Sequence, residues 1–424
     1  MSIKRRDFIS LAGIAAATGL ATGLNACNTG AKKDAELSDT LKPITDDVAP
    51  ITTTERQARV AKAQGLLVKN KMEALILDAG TALNYFTGVS WGGSERTMVA
   101  IITAKGDVKY VCPAFEEARL HEQLTIGKDV YVWQEDESPY QLIVKTLKDA
   151  GIVTGNIAFE ERTRYFIVNG VQKEAPQFTI VSGDAVTIPC RLIKSAAEIK
   201  LMQKANDITL AAIKHGAGQL REGMSQDELA SIIMSAQTQL GGMADFALCL
   251  FGKGSAVPHG LREPMQLKKG DVVLMDCGCL VDGYNSDITR TIVFGEPTKR
   301  QADIWALEKE AQSAGFAAAQ LGQPCENVDA AARGVIVKAG FGPGYKLPGL
   351  PHRTGHGIGM DGHEWGNMVK GNKLLLQPGM CFSIEPNISI VGEFGVRLED
   401  CVHMTEQGPV WFSKPSKSLQ EPWS

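Results

Sequence analysis

Within residues 54–70 the apolar positions Val60, Ala63, Leu67 and Val68 recur three and four residues apart, which predicts an amphipathic helix. The unbroken apolar run 74–77 that follows predicts a short strand buried on both faces. Tyr85-Phe86-Thr87-Gly88, strands at 98–102 and 108–112, a helix over 140–150 and strands near 157–159 and 178–181 continue the alternation. Residues 51–189 are therefore expected to form a smaller α/β domain ending near Pro189. At Ser195 the pattern changes. Ser195 and Glu198 have the spacing of a capping box and predict a long helix to about residue 220, and Ser225 with Glu228 opens another. Strands follow at 245–251, 271–279 and 287–294, then helices over 299–321 and 327–339 and a Gly/Pro-rich loop over 341–366. Strands at 379–390 and 395–404 close the pattern. Such grouping predicts an α+β domain over 190–414, with helices backing a curved antiparallel sheet and 415–424 left as a tail.

Two segments lack this periodicity. Residues 28–50 are polar and punctuated by Pro43 and Pro50, as in a flexible linker. Lys4-Arg5-Arg6-Asp7-Phe8-Ile9 precedes an Ala/Gly/Leu run to Leu24 and resembles a twin-arginine export signal. The run ends in Leu24-Asn25-Ala26-Cys27, which is similar to a lipoprotein cleavage box with Cys27 as the lipidated residue. These features imply an exported protein at the periplasmic or extracytoplasmic face, touching membrane only through its signal or lipid. Ordinary secretion is the alternative, and a retained membrane anchor is disfavoured because the run is short and rich in Gly.

A length of 424 residues exceeds one ordinary core and fits two domains plus extensions. The net charge of -4 provides no basic field for a phosphate backbone and excludes nucleic acid as an expected partner. Beyond Cys27 the cysteines lie mostly in apolar runs without C-x-x-C spacing and read as small core residues. Regular strand alternation turns Cys277 and Cys279 away from the face of Asp276, so thiolate ligation needs a bulge at Gly278.

The informative residues are acids inside apolar strands. Val272-Val273-Leu274-Met275-Asp276 ends on a carboxylate where aliphatic burial is expected, and Asp287 lies beyond the turn Asp282-Gly283-Tyr284-Asn285. Glu385 ends the run Met380-Cys381-Phe382-Ser383-Ile384, and Glu399 stands two residues from Arg397, on the same face of a regular strand. Singly, Asp287 reads equally as a turn residue, Glu399 as an ion-pair partner of Arg397 and Glu385 as a loop acid before Pro386. Jointly buried, these acids need compensation, which two divalent cations would provide. His356, in a Gly-rich loop, adds a nitrogen donor. The expected ligands are thus Asp276, Asp287, His356, Glu385 and Glu399, a set that suits Mn(II), Co(II), Fe(II) or Zn(II).

The pieces Asp276-Cys277-Gly278, Asp287, His352 to Gly359 (His-x-x-Gly-His-Gly-x-Gly), Ile384-Glu385-Pro386 and Arg397-Leu398-Glu399-Asp400 resemble, in order, the metallopeptidases of the methionine aminopeptidase, prolidase and aminopeptidase P superfamily. Residues 51–189 are similar to the creatinase-type N-terminal domain, best at Asn84-Tyr85-Phe86-Thr87-Gly88. The resemblance implies a pita-bread catalytic fold, two metal ions with Mn(II) first, a homodimer and a peptide substrate cut at its N-terminal bond, with proline after the cut. It implies an attacking water or hydroxide between the ions, with Glu385 moving the proton. His259 and His363 would hold the carbonyl and the oxyanion, His352 would line the pocket for the residue after the cut, and Arg397 would orient Glu399 and its neighbours. Trp365-Gly366 departs from the family pattern, which often places prolines after His-Glu; this weakens the proline preference but not the metal assignment, and both an Xaa-Pro dipeptidase and an Xaa-Pro aminopeptidase of longer peptides remain open. An amidohydrolase of the creatinase kind and a noncatalytic peptide-binding module are the other readings; lost ligands would mark the latter.

Overall fold

The protein is described over residues 41–423 by a computed structural model, so the segment expected to be an export signal and Cys27 lie outside the described residues. The N-terminal part is a mixed sheet in the order β4-β3-β2-β1-β5-β6, built from β1 (Ala74–Asp78), β2 (Val99–Thr103), β3 (Lys109–Pro113), β4 (Asp129–Trp133), β5 (Gly155–Phe159) and β6 (Phe178–Ser182). Every residue of β1 and β2 is buried, because helices cover both faces: one apolar cluster includes Leu75 and Leu77, the other Ala74 and Ile76. The first helix, Thr53–Lys69, opens on a full capping box of Thr52 and Glu55. Strand β4 and the helices Tyr165–Glu174 and Asp184–Arg191 had no counterpart in the apolar pattern.

The C-terminal part carries β7 (Met243–Phe251), β8 (Val272–Val281), β9 (Tyr284–Asn285) and β10 (Ile288–Val293) in one antiparallel sheet. A second sheet has the order β12-β11-β13-β16-β17, from β11 (Gly355–Gly357), β12 (Glu364–Met368), β13 (Cys381–Ile384), β16 (Asp400–Thr405) and β17 (Gly408–Trp411). A hairpin of β14 (Asn387–Ile390) and β15 (Phe394–Arg397) packs against β8 and β10, and a bridge joins Thr289 to Glu399 just ahead of β16. Four helices back this surface. Ala196–Ala217 and Gln226–Gln239 pack on the β7-β8 side, and Lys299–Ala318 and Glu326–Lys338 pack on β14 and β15. Ser195 and Glu198 form the expected box, whereas Ser225 caps its helix alone because the Glu228 side chain pairs with Arg221.

Several expectations change. The Gly/Pro-rich loop 341–366 contains β11 and the start of β12, and the expected strands 379–390 and 395–404 are each broken, at Glu385-Pro386 and at Leu398-Glu399. Residues 41–50, expected within the linker, dock on the C-terminal part: Leu41 and Val48 join its core, the Ile44 N–H donates to the Leu240 carbonyl at 3.0 Å and Asp47 pairs with Lys204 at 2.8 Å. The expected tail also packs back, through Leu419 and Trp423. Among the described residues no helix is long and apolar enough to cross a membrane.

Candidate active site

Strand β8 pairs antiparallel with β10 so that Asp276 faces Thr289. Asp287, two residues before Thr289, falls on the same face. Cys277 and Cys279 point the other way into the core, where Thr209 and the Ala205 carbonyl bond the Cys279 sulfur, which removes both thiols from the site. Glu399 occupies the break between β15 and β16; its backbone exchanges hydrogen bonds with Thr289, and its Oε2 accepts from Thr289 Oγ1 at 2.6 Å. Glu385 occupies the break after β13, with its N–H donating to the Thr354 carbonyl at 2.7 Å. The interruptions that ended the expected strands are therefore what turn these two acids inward.

His356 is the centre of the three-residue β11, squeezed between β12 and β13. A Cβ on Gly355 would strike the Ser383 carbonyl, and one on Gly357 would strike the Trp365 carbonyl, so Gly-His-Gly is the sequence that lets the backbone approach both neighbours. His356 Nδ1 lies 3.1 Å from the Gly357 carbonyl, to which it donates, and Nε2 faces acids, 3.1 Å from Glu385 and 3.6 Å from Asp287. Donor atoms of Asp287, His356 and Glu399 all lie within 4.8 Å of one another.

All five expected ligands line one cleft of about 720 Å³, together with His259, His352, His363 and Arg397. Its walls add Phe246, Leu248, Val257, Pro258 and Pro351. The sequence singled out none of these apolar residues, since each also fits an ordinary strand or loop. Arg397 donates from Nη2 to Asp276 at 2.5 Å, from Nε to Thr289 Oγ1 at 3.1 Å and from Nη1 to the Pro258 carbonyl at 3.3 Å. Its ion pair is thus with Asp276; it acts on Glu399 by charge through space and through the shared Thr289 hydroxyl rather than by direct contact, because Leu398 breaks the strand that would have set the two side by side. Arg353, also overlooked, enters the cleft with no ion pair or side-chain hydrogen bond among the described residues, although it stands inside the His-x-x-Gly-His motif.

The electrostatics are those expected of a candidate cation site. Burial and the neighbouring Asp276 and Glu385 push the Asp287 carboxyl well above the carboxylate range, and burial with Asp287 and Glu385 does the same to Glu399. Burial also works to raise Glu385, but the hydrogen bond and charge of His356 prevail and hold it at about 2. Asp276 Oδ1 and Glu399 Oε1 are buried without a partner. Orphaned acceptors and crowded carboxylates of this kind fit divalent cations, which satisfy lone pairs and cancel like charge together. Burial, the His356 ring 4.0 Å away and the Arg353 charge lower His363 to about 4, so its imidazole is neutral at physiological pH. Burial likewise lowers His352, whose Nδ1 bonds the Arg353 carbonyl at 2.7 Å while Nε2 has no partner. His403, expected as an exposed strand residue, is half-buried against Phe412.

The family description "Metallopeptidase family M24" matches residues 200–406, and "Creatinase/Prolidase N-terminal domain" matches 59–193. The chain is 33% identical over 368 residues to the Xaa-Pro dipeptidase of Lactobacillus helveticus, covering 85% of this chain and 97% of that relative. The prolidase of Thermococcus sibiricus superposes with a TM-score of 0.78 at 31% identity, covering 85% of this chain and 97% of that one. A dipeptidase from Mycobacterium ulcerans superposes with a TM-score of 0.80 at 30% identity, covering 86% and 97%.

Proposed function

Because this chain belongs to metallopeptidase family M24, with its pita-bread fold and creatinase-like N-terminal domain, we propose that it is a two-metal Xaa-Pro dipeptidase. The observation that carries the reading is the convergence of Asp276, Asp287, His356, Glu385 and Glu399 on one cleft with buried, unpartnered carboxylate oxygens. These five would hold the ions. Bound divalent ions, Mn(II) first with Co(II), Zn(II) or Fe(II) as alternates, would polarise the scissile carbonyl and bring the pKa of water toward neutrality. Glu385, ionised at neutral pH, takes a proton from the attacking water and delivers it to the leaving amine nitrogen. The neutral His363 donates an N–H to the carbonyl oxygen as it gains charge, His259 supports the same oxygen, and His352 borders the residue after the cut.

Two features of the cleft support the substrate. A prolyl nitrogen in a peptide bond carries no hydrogen, so its pocket must recognise shape, and Phe246, Leu248, Val257 and Pro258 present apolar wall for the ring. The unpaired Arg353 offers a guanidinium to a free carboxylate, which only a short peptide brings so near the reacting bond. That favours a dipeptide over the longer substrates of an aminopeptidase. With Mn(II) supplied, Ala-Pro should be cleaved at least about tenfold faster than Ala-Pro-Ala, and Met-Ala-Ala more slowly still. Equal cleavage of all three would remove the proline and dipeptide assignments together. Asp276→Ala and Glu385→Ala should each abolish turnover with the fold intact, and full turnover by a metal-free preparation would overturn the metal chemistry.

The same reading includes a homodimer, checked by light scattering. It also includes export through the Arg5-Arg6 signal with lipid attached at Cys27, checked by lipid labelling that Cys27→Ala should eliminate.

A further inference from the structure

His363 is exposed at its outer edge while its ring turns into the cleft, where the imidazole makes no hydrogen bond among the described residues and lies tilted against the His356 ring at 4.0 Å. A group in that position is placed by its backbone, and its backbone lies in the segment 359–364. The backbone of this segment is tied into the C-terminal part at both ends, while the Glu364 carboxylate also accepts from Arg191 at 2.6 Å. The Gly359 carbonyl accepts from the Asn285 N–H at 2.8 Å and from Asn285 Nδ2 at 3.1 Å, and Glu364 begins β12. The middle is gripped from the other domain. Asp361 accepts from Thr81 Oγ1 at 2.6 Å and from Arg191 Nη2 at 2.6 Å, and forms an ion pair with Arg162 Nη1 at 2.8 Å. Arg162 also donates from Nη2 to the His363 carbonyl at 3.2 Å. Thr81, Arg162 and Arg191 all fall within the creatinase-like N-terminal domain.

We propose that the N-terminal domain is a positioning device for His363, with Arg162 clasping Asp361 and the His363 backbone so that the imidazole points into the cleft. Asp361 is mostly buried, and a carboxylate there needs cationic partners; the N-terminal domain supplies two of them and the catalytic segment supplies the acid. Meanwhile Arg162 itself is half exposed, so its bonds add little to global stability and much to the local placement of one loop. A shift of about 1 Å in a group that stabilises developing charge costs far more rate than stability. This inference rests on the reading of His363 as a donor to the carbonyl oxygen.

The test is a double-mutant cycle on Ala-Pro hydrolysis with Arg162→Ala, His363→Ala and both, alongside Zn(II) content and melting temperature as controls. Arg162→Ala should lower kcat about tenfold with KM changed less than about twofold, yet in the His363→Ala background it should change kcat less than about twofold. Equal losses in both backgrounds would overturn the proposal. A second measurement needs no activity: in the Zn(II)-loaded full chain, the side-chain ¹⁵N resonances of His363 should shift or broaden in Arg162→Ala while those of His121 and His215 stay in place. An unmoved His363 resonance overturns the positioning role. A moved resonance in a protein without peptidase turnover supports it and tells against the enzymatic reading alone.

Discussion

Arg290 is wholly buried, and its guanidinium is shared between Asp400 at 2.7 Å, the Glu399 carbonyl at 2.9 Å, the Thr289 carbonyl at 3.1 Å and the Lys414 carbonyl at 3.0 Å. It therefore fixes the backbone of one expected metal ligand without touching the cleft. Replacing it by methionine keeps much of the volume but leaves Asp400 with only the neutral donors Gln312 and Ser413. Breaking such a buried pair costs about 3 to 5 kcal/mol. Arg290→Met should lose stability on that scale in urea unfolding, and a loss under about 1 kcal/mol would mean the network relaxes around it. Glu364 offers a pH-dependent counterpart. Burial alone would raise it, but Lys194 at 2.8 Å and Arg191 at 2.6 Å hold it at about 2 against an ordinary 4.5. The folded state then binds fewer protons than the unfolded one between those values, so this pair stabilises above pH 4.5 and its contribution fades as pH falls toward 2. Of the stability the protein loses between about pH 5 and about pH 3, Glu364 should account for about 2 kcal/mol, a share absent in Glu364→Gln. Neither network could be read in the sequence, since Arg290, Asp400, Arg191 and Glu364 meet partners scores of residues away and no local pattern marks such pairs.

At the level of elements, the long helices of the C-terminal part announced themselves, whereas the helices Tyr165–Glu174 and Asp184–Arg191 and the short strands did not. Ser195 with Glu198 states a helix start in four residues and forms its capping box, while the box of Thr52 and Glu55 at the first helix went unread beside the apolar spacing that marked it. Strand β11 is Gly-His-Gly: it has no alternation and no β-branched residue, and it exists because β12 and β13 supply hydrogen bonds on both sides. Period-two reading fails there for a physical reason, namely that the register is imposed from outside the segment. The same segment carries His356, so its geometry can be tested through the metal. Gly357→Ala forces a Cβ into the Trp365 carbonyl and should cost about 1 to 3 kcal/mol by overpacking. Because the displaced strand is the one bearing Nε2, bound Mn(II) measured after dialysis should fall as well. Retention of full metal content with lowered stability would show that the strand yields at its edge and spares the imidazole.

For the molecule as a whole, the gathering of Asp276, Asp287, His356, Glu385 and Glu399 around one cleft was legible because acids in aliphatic strands are expensive unless something compensates them, and that expense survives any detail of topology. What was not legible is how the domains cooperate. Residues 41–50 read as a linker by composition, yet Leu41, Val48 and Ile51 complete the C-terminal core, since a few apolar residues in a polar segment suffice once a groove exists to receive them. A site built on mutually repelling carboxylates should make stability of the whole chain depend on its ions. Ions that bind only the folded state stabilise it by RT ln(1 + [M]/Kd), or about 1.4 kcal/mol per tenfold rise in free metal for each ion released on unfolding. Two ions released together double that slope to about 2.8 kcal/mol per decade. Urea unfolding in Mn(II) buffers spanning three decades above the dissociation constants therefore counts the ions without any assay of catalysis. The steeper slope is the expected outcome, and it should fall toward the shallower one in Asp276→Ala, which retains the close trio of Asp287, His356 and Glu399. A flat dependence in the unmutated protein would mean that the buried acids are compensated by protons, leaving the cleft without the charge that its chemistry requires.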